Sequence, residues 1–198
     1  VAFYAVQRLG AIVVEHNPLY TPRELRHQFE DHGAKVVIAW DKSVATIQDF
    51  PGDVAVTTII SVDITRSMDL KTRFLLRLPI AKARQSREAL TTAVRGTIDW
   101  AELLKSDPID AHIIRPGADD VALIQYTSGT TGYPKGATLT HLTLPTNAAQ
   151  ARAWVPGVER CTSVVYAVLP MFHAYGLTLC LTFAMSKGAR LVLFPRFD

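Results

Sequence analysis

Apolar and polar positions fall into blocks along the chain, and the period of each block predicts an element. Val1, Tyr4, Ala5 and Leu9 recur at helical spacing and give residues 1–9 one apolar face, with Gly10 placed to stop the helix. Ala11–Val14 is a short apolar run of strand type, and Asn17-Pro18 follows as a loop. In Thr21-Pro22-Arg23-Glu24 a hydroxyl stands at the cap, proline at the first helical position and glutamate three residues after the cap. That is a capping box, and the helix it opens runs to Asp31 or His32 and stops at Gly33. Lys35–Ala39 and Val56–Val62 read as further strands. Later, Val121–Tyr126, Ser163–Leu169 and Arg190–Phe194 read as strands separated by helical stretches. The alternation predicts an α/β layered fold, with mostly parallel sheets flanked by helices.

One stretch competes with this picture. Residues 161–186 contain no Lys, Arg, Asp or Glu, long enough for a membrane span of about 20 residues. Pro170, His173 and Gly176 sit at its centre among threonines and serine, so a buried strand, a polar turn and a buried helix are expected instead.

Composition narrows the class. A chain of 198 residues, 48% hydrophobic and 20% charged, is globular and amounts to one domain or part of one. Starting at Val1 inside a helix, and with no basic region before an apolar core, it reads as a piece of a longer protein without a signal peptide. Two cysteines, Cys161 and Cys180, exclude a disulfide scaffold, fit a reducing cytoplasm and offer no zinc spacing. A net charge of +3 does not by itself imply nucleic acid. The distribution of charge says more. Residues 66–95 hold eight basic and two acidic side chains, so this segment carries +6 while the remainder carries −3. Leu70, Phe74, Leu75, Leu76, Leu78 and Ile80 interleave with the charges, and Pro79 breaks any helix there. Two readings stand: a solvated helical excursion with its apolar side on the domain, or a segment that makes peripheral contact with a membrane surface. The expected organisation is a first α/β portion at 1–63, a basic excursion and linker at 64–115, and a third portion at 116–198.

That third portion carries the strongest chemical signal, VALIQYTSGTTGYPKG at Val121–Gly136. A buried strand runs into Thr127, Ser128, Gly129, Thr130, Thr131 and Gly132, and Lys135 follows. Glycines let backbone N–H groups approach an anion, hydroxyls add donors, and the lysine adds a mobile positive charge. The composition suits a polyphosphate better than a plain surface turn. It is not a Walker loop: counted from Gly129, the second glycine falls on Pro134, and Lys135 is followed by Gly136 rather than Ser or Thr.

The segment Tyr126–Gly136 resembles the signature of the adenylate-forming enzymes, a superfamily that includes acyl-CoA synthetases, beetle luciferases and peptide-synthetase adenylation domains. Other segments share the likeness: Leu9-Gly10-Ala11 with Asn17-Pro18-Leu19-Tyr20 and Glu24-Leu25 upstream, and Gly188–Asp198 downstream. Leu139-Thr140-His141 looks like the start of the helix after the loop. Leu169–Gly176 looks like the motif at the family's acyl and adenylate pocket, which makes Phe172, His173 and Gly176 candidate substrate-binding residues. Peptide-synthetase domains carry an aspartate in that motif, and its absence here speaks against an α-amino substrate; the Phe172-His173 pair and Asn17-Pro18-Leu19-Tyr20 look like acyl- or aryl-CoA ligases, with fatty-acid–CoA ligases the nearest likeness. His173 by itself fits a satisfied core residue as well as a pocket residue, His141 fits a helix start equally well, and His16, His27, His32 and His112 read as surface residues.

The resemblance implies that the chain is part of the large N-terminal domain of an AMP-forming acid–thiol ligase. It implies ATP, Mg²⁺ and coenzyme A as co-reactants and a long-chain fatty acid as substrate, in a cytoplasmic protein with no nucleic-acid partner. Thr127–Gly132 and Lys135 would hold the ATP phosphates. No catalytic residue and no metal ligand is expected within residues 1–198, because the family's adenylation lysine and magnesium-binding pair lie further along, so the piece alone would be inactive. Rival readings are an aryl-CoA or acyl-AMP ligase, a phosphotransferase releasing ADP, and a nucleotide-binding module without turnover.

Overall fold

The computed structural model describes residues 1–127 and 134–194. In chain order the first elements are helix α1 (Ala2–Arg8), strand β1 (Val13–Glu15), α2 (Pro22–His32), β2 (Val36–Trp40), α3 (Asp41–Gln48) and β3 (Thr58–Val62). After a 3₁₀ turn at Ile64–Ser67 come α4 (Leu70–Leu75), α5 (Ala81–Leu90), β4 (Ile98–Asp99) and α6 (Trp100–Leu103). The last part contains β5 (Val121–Thr127), β6 (Lys135–Thr140), α7 (Thr143–Trp154), β7 (Val164–Ala167), α8 (Ala174–Gly176), a π-helical stretch at Leu177–Phe183, α9 (Ala184–Lys187) and β8 (Arg190–Leu193).

These elements form two compact units, one of Val1–Asn17 with His112–Asp198 and the other of Pro18–Ala111. In the second, β2, β3 and β4 make a parallel sheet in that order. Leu25 and Phe29 from α2, Val44 and Ile47 from α3, and Ala39 from β2 close its core. The capping box forms as the sequence dictates. Glu24 N–H donates to the Thr21 hydroxyl at 3.3 Å, and Thr21 N–H donates to the Glu24 carboxylate at 2.9 Å. Gly33 ends α2 at φ +59, where a side chain would be strained.

The 66–95 segment forms α4 and α5 on either side of Pro79. Its carboxyl end is tied to α3 and to the residue before it: the Trp40 indole donates to the Leu90 carbonyl at 2.8 Å, and the Lys42 ammonium donates to the Glu88 carbonyl at 2.8 Å. Asp41 accepts from the Thr91 hydroxyl and from Thr92 N–H.

The first unit holds two sheets. One has the order β1-β5-β6, with β1 parallel and β6 antiparallel to β5. The other pairs β7 with β8 in parallel. Strand β6 corrects the sequence reading of Leu139-Thr140-His141 as a helix start: Leu139 and Thr140 end a strand, and the helix begins at Thr143. Small and β-branched residues at 136–140 let this backbone satisfy the free edge of β5, and that long-range pairing outweighs local preference. The charge-free stretch 161–186 folds as β7, a turn and the helices from Ala174. Among the described residues no helix is long and apolar enough to cross a membrane.

Candidate functional site

Strands β5 and β6 deliver the ends of the expected phosphate loop to one place. Thr127, the last residue of β5, is the cross-strand partner of Lys135, the first of β6, and both are exposed. Ser128, Gly129, Thr130, Thr131 and Gly132 lie outside the described residues. A hydroxyl and an ammonium thus stand at the carboxyl end of a strand that runs parallel to β1, the end of α/β sheets where ligands collect. This donor set suits a polyphosphate. Gly136 is required by the close pairing just inside the hairpin: a Cβ there would lie 2.9 Å from Ile124 Cγ2 and 3.6 Å from the Tyr126 ring.

Two features of this strand end escaped the sequence reading. In the β1–β5 register Glu15 faces Gln125, and the buried Gln125 amide donates to the Glu15 carboxylate at 3.0 Å. His16, expected at the surface, is half-buried and stacks on Tyr126 with ring centroids 6.3 Å apart. The available signal was one polar residue beside each of two apolar runs, and it needs the register to be read.

Burial pushes the Glu15 carboxyl up from 4.5 to about 7, against the opposing pull of the Gln125 hydrogen bond. The unfolded chain gives up this proton near 4.5 and the folded chain keeps it to about 7. Folding therefore takes up a proton inside that window, and stability falls as pH rises through it, by roughly 3 kcal/mol at most, and levels off above. Glu15→Gln is expected to abolish this dependence and raise stability at pH 8 relative to the parent; urea melts at several pH values check it, and an unchanged pH slope would contradict it.

Phe172, His173 and Gly176 lie in one turn between β7 and the π-helical stretch. His173 N–H donates to the Pro170 carbonyl at 3.1 Å, and the His173 carbonyl accepts from Leu177 N–H at 2.7 Å. Phe172 is half-buried and His173 exposed, with ring centroids 6.3 Å apart. Gly176 is buried, and the Pro170 carbonyl oxygen occupies the place that a Cβ would need. The following π turns, at Leu177–Phe183, are a rare conformation that is frequent at functional sites. Helix α7 packs on both β6 and the π stretch, so hairpin and turn belong to the same unit.

A polar cavity of about 520 Å³ lies in the other unit, lined among others by Asp41, Ser61, Arg66 and Asp99. None of the residues singled out from the sequence as site residues lines it. Among the described residues no three His, Cys, Asp or Glu side chains gather as metal ligands.

Comparison with known proteins bears on the same features. The sequence profile of the AMP-binding enzyme family matches residues 1–198. A long-chain-fatty-acid–CoA ligase of Bacillus subtilis is 31% identical over the whole chain, and 4-coumarate–CoA ligase 3 of Oryza sativa is 30% identical. The chain spans 35% and 30% of those proteins, about a third of their length. The N-terminal domain of FACL13 from Mycobacterium tuberculosis superposes with a TM-score of 0.68 at 28% identity, over 99% of this chain and 41% of that one. The anthranilate CoA ligase AuaEII, solved in complex with anthranoyl-AMP, shares the fold with a TM-score of 0.74 at 23% identity, over 99% of this chain and 33% of that one.

Proposed function

The chain belongs to the AMP-binding enzyme family, and on that premise we propose that the intact protein is an ATP-dependent ligase that joins a long-chain fatty acid to coenzyme A. The observation that carries this reading is the 31% identity to a long-chain-fatty-acid–CoA ligase in an alignment that covers the whole chain. The absence of an acidic residue at Phe172-His173-Ala174-Tyr175-Gly176 adds to it, since an amino-acid substrate would call for a carboxylate to meet its ammonium group. A second reading, an aryl acid as substrate, has support from the 30% identity to a 4-coumarate–CoA ligase.

In the first half-reaction the substrate carboxylate oxygen bonds to the α-phosphorus of ATP, and the bond from that phosphorus to the bridging oxygen breaks, so that pyrophosphate leaves. In the second the thiol sulfur of coenzyme A bonds to the acyl carbon, AMP leaves, and the thiol proton passes to solvent. Carboxylate and triphosphate repel, so the first step needs positive charge on the leaving group. Thr127 and Lys135, with residues 128–132 between them, hold the β- and γ-phosphates in this reading, and Mg²⁺ supplies further neutralisation when bound. Phe172, His173 and Gly176 line the carboxylate side. The groups for adenine, ribose and magnesium, and the lysine that assists adenylation, fall in this reading outside residues 1–198.

Carboxylate-dependent exchange of pyrophosphate into ATP tests this. The intact protein is expected to support exchange with palmitate and to release AMP, and residues 1–198 alone are expected to show none. Stronger exchange with 4-coumarate would move the substrate to the aryl class; ADP release would overturn the ligase reading altogether.

A further inference from the structure

The basic segment is held at both ends and left open between them. At one end Arg66 lies 3.7 Å from Asp63 and 3.0 Å from Asp99. At the other, the Trp40 and Lys42 side chains grip the backbone of α5 at residues 88–90. Ala83 is buried and seats α5. Lys71, Arg73, Arg77, Lys82 and Arg84 form no ion pair among the described residues. Asp69, the carboxylate nearest Lys71 and Arg73 in sequence, is engaged as the cap of α4, accepting from Thr72 N–H at 3.0 Å.

Among these cations the structure exposes apolar side chains that the solvated-excursion reading would have turned inward. Leu70 is 80% exposed and Phe74 66%, and Leu75 and Ile80 are also exposed. Phe74 lies one helical turn after Leu70, so the two share a face of α4, with Lys71 on one flank and Arg73 on the other. Helix α4 ends at Leu75, and α5 starts only at Ala81, so the strip is short and stands on the surface as a blunt apolar wedge among positive charges.

We propose that α4 and the start of α5 form a docking surface for an anionic lipid bilayer. The argument is one of complementarity. Apolar tips entering the acyl boundary while lysines and arginines stay at headgroup level is the arrangement an interfacial segment needs. A polyanion without apolar groups would meet the cations and leave Leu70 and Phe74 in water. The surface is too short to span, so binding is peripheral and reversible, and it stands apart from the reading of the catalytic site.

Sedimentation of the intact protein with vesicles tests it, using phosphatidylcholine alone and phosphatidylcholine with about 30% phosphatidylglycerol, at low and high salt. Binding is expected only to the anionic vesicles and is expected to weaken at least about tenfold at high salt, where charges are screened within a few ångströms. Replacing Arg73, Arg77, Lys82 and Arg84 together with glutamine is expected to weaken low-salt binding by on the order of 100-fold or more, since each basic residue near an anionic surface contributes about fivefold. Phe74→Trp keeps every charge and reports insertion independently: the emission of the new indole should shift to the blue with anionic vesicles and be quenched by brominated lipid. The proposal is overturned if the intact protein does not sediment, if the four-glutamine variant binds as the parent does, if vesicles leave the emission of the Phe74→Trp variant unmoved, or if the segment binds RNA and not vesicles.

Discussion

Lys135→Ala in the intact protein is expected to lower kcat/KM for ATP by on the order of 10²-fold while changing KM for the carboxylate less than about twofold. The magnitude is that of removing one preorganised donor from charge that develops on a leaving group. The asymmetry follows from position. Lys135 opens β6 opposite Thr127, at the end of the β5–β6 pair, and in the proposed site it meets the pyrophosphate portion of ATP and not the acyl side. Its side chain is exposed and makes no ion pair among the described residues, so the substitution should leave stability within about 0.5 kcal/mol. Lys135→Arg should recover part of the loss, since charge is restored with altered geometry. Unchanged kcat and KM for ATP would remove the hairpin from the nucleotide site.

The second large effect is on folding. Gly176→Ala would set a methyl group onto the Pro170 carbonyl oxygen, 2.7 Å from its carbon and 3.2 Å from the Leu169 carbonyl oxygen. All three are backbone atoms, so no side chain can rotate away and the turn carrying Phe172 and His173 must move. Overpacking of this kind costs about 3 kcal/mol or more. Gly157→Ala is the control, because nothing lies within 4 Å of its Cβ position and its φ is unremarkable. Urea melts separate the two: the first variant should unfold at distinctly lower denaturant and the second near the parent. A Gly176→Ala protein as stable as the parent would show that the Pro170 turn is not held as described.

These two sites differ in how far they were legible from the residues alone. Tyr126–Gly136 stands out in the sequence because its mixture of glycine, hydroxyl and lysine is one that no core or plain turn requires, and it is on this mixture that the proposed phosphate site rests. The helix start at Thr21 was equally plain, since the capping box is a local agreement between two side chains three residues apart. Strand β6 was not, because what makes Gly136–Thr140 a strand is the open edge of β5, not any preference of its own. The Glu15–Gln125 contact joins positions 110 residues apart and depends on strand register. Gly176 could be picked out by resemblance, but only the approach of the Pro170 carbonyl gives the physical reason for glycine there. The exposed face of α4 was open in both directions, because a mixed apolar and basic segment has the same sequence whether its leucines turn in or out.

The π-helical stretch bears on how this fold tolerates changes of length. A π turn spans one more residue than an α turn between hydrogen-bonded partners, so Leu177–Phe183 holds surplus chain inside a continuous helix. Losing one residue from α2 would rotate everything after it by about 100° and carry Phe29 off the core. Losing one from the π stretch can instead be absorbed by tightening it to an α turn, which keeps Gly176 under Pro170 and Ala184 facing inward. Among relatives of this chain, single-residue gaps should therefore gather at 177–183 and be scarce in α2, so that the hydrogen-bond pattern of one helix records where the family's length has been free to drift.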